Sequence, residues 1–224
     1  MLKKTVLITG VSRGIGFALA NQFNSHGYNV IGTSRTGLVP DLISSSIKII
    51  QLDITDTRSI KQVEQLLVKK SIKIDILINN AAIGPDLDVI LPNEKTFQQT
   101  FDTNVTGTVF FTELMISHLT ANGKIINISS KMGSIEACTG TDSIAYRMSK
   151  TALNMYSKIV SNRLKGKQTV ATIHPGWVRT DLTKGNVHAP LSPEESALSI
   201  FKFIESDYPT GVYWDAPESV KLKW

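Results

Sequence analysis

Thr5-Val-Leu-Ile-Thr9-Gly10-Val11-Ser12-Arg13-Gly14-Ile15-Gly16 is a short apolar strand that runs straight into a glycine-rich turn, and the turn opens a helix over residues 17–24. Gly10 lets the chain turn sharply, Gly14 lets backbone approach a pyrophosphate, and Gly16 lets the helix pack closely on a sheet. Three residues separate Gly10 from Gly14, a wider spacing than the commonest dinucleotide-binding turn has.

Strand-sized apolar segments recur outward from this turn at residues 29–33, 47–52, 74–79, 124–128 and 169–173. Stretches with helical apolar spacing lie between them, for example Phe97, Phe101, Val105, Thr108, Leu114 and Met115. Strands rich in Val, Ile and Leu without polar alternation suit a parallel sheet buried on both faces, and the intervening helices supply its crossovers. The pattern predicts a single-domain α/β, Rossmann-type, doubly wound parallel sheet with helices on both faces. Its dinucleotide-binding half covers about residues 1–122 and its catalytic half about 123–224. Pro190-Leu-Ser-Pro193 followed by Glu194 and Glu195 predicts a turn into a last helix, with the chain ending soon after it.

Composition narrows the function classes. The chain has 224 residues, 42% of them hydrophobic, and no Gly/Ser/Pro-rich stretch divides it, so one core is expected. Cys138 is the sole cysteine, which excludes an internal disulfide, and His26, His118, His174 and His188 have no metal-ligand spacing. The net charge of +5 is spread along the chain rather than gathered in blocks, which fits a solvated basic surface attracting anionic cofactors better than nucleic acid. The apolar segment after Lys3 and Lys4 is too short for a signal peptide, and no run approaches a membrane span, so a cytoplasmic protein without membrane or nucleic-acid partners is expected.

The second strand ends in Thr33-Ser34-Arg35, where dinucleotide folds that prefer NAD carry an acid for the ribose hydroxyls. With no acid there, Arg35 and Arg13 can both pair with a 2′-phosphate, and NADP is the better fit. Further on, Tyr146-Arg-Met-Ser-Lys150 puts a phenol and an ammonium on one face of a helix, and among the five tyrosines only Tyr146 has a lysine four positions later. A phenol that titrates near pH ~10 needs an adjacent cation to serve as an acid/base at neutral pH.

From the glycine turn almost to its C-terminus, the sequence resembles the short-chain dehydrogenase/reductase family. The run Ala145-Tyr-Arg-Met-Ser-Lys-Thr-Ala-Leu-Asn154 is similar to the carbonyl reductase and C-factor-like subgroup. The resemblance implies an NADP(H)-dependent oxidoreductase acting on a carbonyl or alcohol carbon, with Asn104, Ser130, Tyr146 and Lys150 as its catalytic set. Ser130 polarises the carbonyl, Tyr146 delivers the proton, and Asn104 holds a water linking Lys150 to solvent. The cofactor set it implies is Gly10, Ser12, Arg13, Gly14, Ile15, Gly16, Ser34 and Arg35; Asp53 and Ile54 at the adenine; Asn80, Ala81 and Ala82, with alanine where the family has glycine; Tyr146 and Lys150; and Pro175, Gly176, Val178 and Thr180 at the nicotinamide. It also implies a homo-oligomer, dimer or tetramer, paired through helices around residues 101–115 and 148–164.

The sixteen positions from Ser130 to Tyr146 indicate a short insertion beside the substrate, containing Cys138 and Gly140. Trp177 and Leu182 suit a small hydrophobic or dicarbonyl substrate, and His174 reads as structural rather than as an extra base. The alternative is a dinucleotide-binding signalling or regulatory protein on the same fold, against which the presence of all four catalytic residue types argues.

Overall fold

The computed structural model describes residues 3–183 and 186–224. Its strands are β1 (Thr5–Ile8), β2 (Asn29–Ser34), β3 (Lys48–Gln51), β4 (Ile74–Asn79), β5 (Leu119–Ile128), β6 (Thr169–His174), β7 (Val212–Asp215) and β8 (Val220–Lys221). They form one sheet in the order β3-β2-β1-β4-β5-β6-β7-β8, parallel throughout except for β8, which runs antiparallel to β7. The strand order reverses direction between β1 and β4, the topological switch point at which open α/β sheets leave a crevice beyond their C-terminal ends.

Alternate residues of each central strand feed two separate cores. Val6 and Ile8 of β1, with Ile76, Ile78, Ile126 and Ile128, pack beneath α1 (Gly14–Ser25) and α6 (Pro193–Glu205) through Leu19, Phe23, Ile200 and Ile204. Leu7, Leu77, Ile125 and Val170 face the other way, against Val63 of α2 (Thr57–Lys69), Phe111 of α4 (Thr108–Ile116) and Val160 of α5 (Ile144–Arg163). Burial on both faces is why these strands carry no polar alternation. Truncating one of the fully buried leucines, Leu7 or Leu77, would cost about 2–5 kcal/mol.

The doubly wound sheet expected from the sequence is the one observed, with four differences. Two further strands, β7 and β8, follow the last helix; Val-Tyr-Trp-Asp becomes a strand because β6 offers it an edge, pairing Ile173 with Trp214. Strand β5 starts at Leu119, five residues early, since the partly exposed stretch from Thr120 to Asn122 shows no apolar signal. Helix α1 begins at Gly14 and α5 at Ile144, each a turn before the apolar periodicity starts.

The fourth difference lies in the helix expected across residues 101–115. It consists of α3 (Glu94–Phe101), a π-helical turn over Asp102–Gly107, and α4. Gly107 is what lets this wider turn lie against the loop after β3, because a Cβ there would sit 2.3 Å from the Ile54 carbonyl oxygen. The acidic start of the last helix is as expected: Ser192 Oγ accepts from the Glu195 N–H, Glu195 accepts from the Ser192 N–H, and Pro193 fills the first helical position.

Candidate active site

A cleft of about 1150 Å³ opens along the C-terminal ends of the parallel strands. All nineteen residues expected to bind cofactor line it, from Gly10 in the first loop to Thr180 after β6, and so does Ser130. Asn104 does not; it is buried behind the cleft, in the π-helical turn.

The first loop is built for an anion. Gly10 and Gly14 have φ of +73° and +56°, and a Cβ on Gly16 would lie 2.1 Å from the Gly10 carbonyl oxygen, so the helix packs against its own entry turn. Asn80 Nδ2 donates to the Thr9 and Gly10 carbonyls, while Thr9 Oγ1 accepts from the Asn80 and Ala81 N–H groups. Asn80 thus buttresses the turn rather than reaching into the cleft. Helix α1 has neither a side-chain N-cap nor an acid in its first turn, which leaves its N-terminal N–H donors and positive dipole end to a ligand.

At the end of β2, Ser34 is buried and its Oγ has no partner among the described residues. Ser34 lines the cleft between the two arginines in sequence, and a turn of its side chain would bring the orphaned hydroxyl to a phosphate there. Arg35 is exposed, and Arg13 makes a solvent-exposed ion pair with Asp181 across the cleft mouth, 3.2 Å apart. Asp53 Oδ1 accepts from both the N–H and the hydroxyl of Thr55, which fixes the carboxylate and leaves Oδ2 for a ligand. Ala82 does not adopt a positive φ, so alanine in place of glycine brings no left-handed strain at that position. These features fit a dinucleotide carrying an additional phosphate.

At the other end, Ser130, Tyr146 and Lys150 meet. Ser130 closes β5; its Oγ accepts from the Met132 N–H at 3.2 Å and so keeps its own proton to donate. Tyr146 lies in the first turn of α5, buried, and lines the cleft with Ser130. Burial pushes the phenol up to about 12, an effect the Ser130 hydroxyl opposes and the charge of Asp86 reinforces. Lys150, one turn later, donates to the Ile128 carbonyl at 2.9 Å, with its ammonium 5.6 Å from the centre of the Tyr146 ring. Burial brings its pKa down to about 8.

Asn104 grips the loop that follows β4. Its Oδ1 accepts from the Ile83 N–H at 2.9 Å, and its Nδ2 donates to the Ile83 carbonyl at 2.8 Å and to Ser149 Oγ at 3.1 Å. Because Ser149 donates in turn to the Tyr146 carbonyl, Asn104 joins this loop to the helix that carries the tyrosine. Its side-chain amide is engaged by these protein groups.

His174 lines the cleft, but its Nδ1 accepts from the Lys131 N–H, and burial lowers its pKa to about 4, which fits the structural reading. The lengthened loop does not flank the cleft as expected. Of residues 131–144 only Lys131 and Met132 line it, while Cys138 is exposed and Gly140 packs under the Arg147 guanidinium. Trp177 and Leu182 do line it.

Two participants had no sequence signal. Tyr213 of β7 donates a hydrogen bond to the Ser130 carbonyl, and it lies on a strand that apolar patterning does not reveal. Asp86, buried in the loop after β4, accepts from the Ala145 and Tyr146 N–H groups across about sixty residues of chain.

Comparison with known proteins bears on the fold and the family. The chain is 31% identical over 189 residues to a 3-oxoacyl-(acyl-carrier-protein) reductase of Buchnera aphidicola, covering 81% of this chain and 76% of the relative. A short-chain dehydrogenase/reductase from Burkholderia multivorans, solved with bound NADP, superposes with a TM-score of 0.89 at 28% identity over the whole of both chains. The carbonyl reductase Sniffer of D. melanogaster does so at 0.87 and 25%, again over both whole chains. Since the short chain dehydrogenase profile also matches residues 4–190, most of its length, this chain belongs to the short-chain dehydrogenase family of oxidoreductases.

Proposed function

We propose that the protein is an NADPH-dependent carbonyl reductase in which Tyr146 is the proton donor. The observation that carries this reading is the convergence of Ser130, Tyr146 and Lys150 at the end of β5, facing the same cleft as the glycine turn. The NADP of the Burkholderia structure and the activity named for Sniffer support it.

Gly10, Ser12, Arg13, Gly14, Ile15 and Gly16 would hold the pyrophosphate against the N-terminus of α1. Ser34, Arg35 and Arg13 would take the 2′-phosphate, and Asp53 and Ile54 the adenine. Asn80, Ala81 and Ala82 would flank a ribose, and Pro175, Gly176, Val178 and Thr180 the carboxamide end. When bound, NADPH supplies the hydride. The Ser130 hydroxyl donates to the substrate carbonyl oxygen and stabilises charge developing there, and the Tyr146 phenol then gives that oxygen its proton. The Lys150 ammonium favours the phenolate left behind. Asn104 keeps the loop at Ile83 and the helix at Ser149 in register with this site.

The substrate side, with Ile83, Leu87, Met132, Trp177 and Leu182, supports a small apolar carbonyl or a vicinal dicarbonyl as substrate. Phe110 on α4 and Met148, Met155 and Ile159 on α5 are exposed apolar side chains, which supports pairing of these helices with a second copy. The test is NADPH consumption against a panel of aldehydes, ketones and vicinal dicarbonyls, repeated with NADH. Turnover at least tenfold better with NADPH is expected. Tight NADPH binding with no turnover on any carbonyl would replace this reading with the regulatory one.

A further inference from the structure

Helix α5, which carries Tyr146 and Lys150, has an unusual start. Its N-cap residue Ser143 has φ of +57°, a left-handed conformation that costs a non-glycine residue about 1 kcal/mol or more. The Ser143 hydroxyl does not cap the helix: it donates to Asp142 Oδ1 and accepts from the Asp88 N–H. The first-turn N–H groups of α5 need another acceptor.

Asp86 supplies it from the loop after β4. Its Oδ2 accepts from the Ala145 N–H at 2.7 Å and from the Tyr146 N–H at 3.2 Å, and the residue is only 4% exposed. Its Oδ1 is buried with no hydrogen-bond partner among the described residues. A buried carboxylate with one oxygen unused is costly to keep for a cap that a serine at Ser143 could provide locally. The surrounding loop is held just as closely: a Cβ on Gly84 would lie 3.1 Å from the Tyr146 ring, the Ser143 N–H donates to the Val89 carbonyl, and Asp88 is itself left-handed at φ +66°.

We propose that Asp86 is a positioning residue for Tyr146, fixing the phenol against Ser130 through the backbone of α5 and setting, by its charge, the pH range in which that phenol works. The proposal rests on the catalytic reading of Tyr146 given above. Four groups act on the phenol: Ser130 from the end of β5, Lys150 from α5 itself, Tyr213 from β7, and the charge of Asp86, held at the backbone of α5, from the loop after β4. Of these, Asp86 is the one carboxylate, and it opposes the phenolate that Lys150 favours.

The two effects are separable by substitution. Asp86→Asn retains an acceptor for the α5 N–H groups but removes the charge; Asp86→Ala removes both. The Tyr146 ring carbon bearing the hydroxyl is followed by carbon-13 NMR in the NADPH-saturated protein, assigned with Tyr146→Phe, so the titration is read whether or not a substrate has been found. In Asp86→Asn the phenol should titrate about one pH unit lower than in the wild type. The acid limb of alcohol oxidation, the direction that needs phenolate, should move with it. In Asp86→Ala kcat should fall about tenfold while the KM for NADPH stays within twofold, and Asp86→Asn should recover most of that loss. An unmoved Tyr146 titration in Asp86→Asn, or equal kcat in Asp86→Ala and wild type, would overturn the proposal and leave Asp86 a purely structural cap. Failure of the catalytic reading looks different, as unchanged turnover in Tyr146→Phe.

Discussion

Asn104 and Ile83 are joined by a two-way clasp: the side-chain amide of Asn104 accepts from the Ile83 N–H and donates to the Ile83 carbonyl, at 2.9 and 2.8 Å. The clasp depends on the π-helical turn over Asp102–Gly107, which presents Asn104 inward, and a third bond to Ser149 carries it to α5. Asn104→Ala removes three hydrogen bonds and leaves the half-buried Ile83 N–H and carbonyl without their partner, which should cost about 1–3 kcal/mol in stability. Urea denaturation would measure this. Because the same bonds hold the Tyr146 helix in place, kcat should fall by at least tenfold, and by less in Asn104→Asp, which keeps the acceptor.

The pH profile of carbonyl reduction should have one limb within the neutral range and its alkaline shoulder. Lys150, lowered to about 8, loses the charge that supports the departing phenolate, so kcat/KM should be level from about pH 6 to 8 and decline above it. His174 is held neutral, with its pKa near 4, so no limb near the usual histidine value of about 6.5 is expected. A clear limb between pH 6 and 7 that vanishes in His174→Gln would make that residue a participant in catalysis.

Buried Lys150 should also weigh on stability. Its pKa is lower in the folded chain than in the unfolded one, so between about pH 8 and 10.5 the unfolded state binds more protons and stability rises with pH. Below pH 8 the folded protein holds the ammonium charged, at a cost on the order of 3 kcal/mol. Lys150→Met should therefore be inactive yet more stable at pH 7, a higher Tm in calorimetry being the expected sign.

On the proposed reading, Ser34, Arg35 and Arg13 set the choice of cofactor. Arg35→Asp places an acid where NAD-preferring dinucleotide folds carry one. It should raise the KM for NADPH by about 10- to 100-fold, the loss of one charge-assisted phosphate contact, while leaving the KM for NADH unchanged or lower. Initial rates with both cofactors decide it.

Much of this molecule can be read from local patterns, and the exceptions share a cause. The glycine turn, the buried strands β1 to β6 and the Tyr146–Lys150 pair are local, set by residue types a few positions apart. Strands β7 and β8 have no such signal, because their conformation comes from pairing with β6. The role of Asp86 joins a loop to a helix start about sixty residues away, and Tyr213 reaches Ser130 across eighty-three positions. Asn104 stands where its motif puts it, but its clasp on Ile83 depends on a helix widening that side-chain periodicity does not encode.

If Tyr146 supplies the proton, single-turnover reduction must separate wild type from Tyr146→Phe. Enzyme saturated with NADPH is mixed with a carbonyl that the wild type reduces, and loss of nicotinamide absorbance is followed. Tyr146→Phe should bind NADPH within about twofold of wild type but reduce the carbonyl about a thousandfold more slowly, a loss in the range general-acid catalysis supplies (~10²–10⁴). Reduction by Tyr146→Phe within tenfold of the wild-type rate would contradict it and require a different proton donor in this cleft.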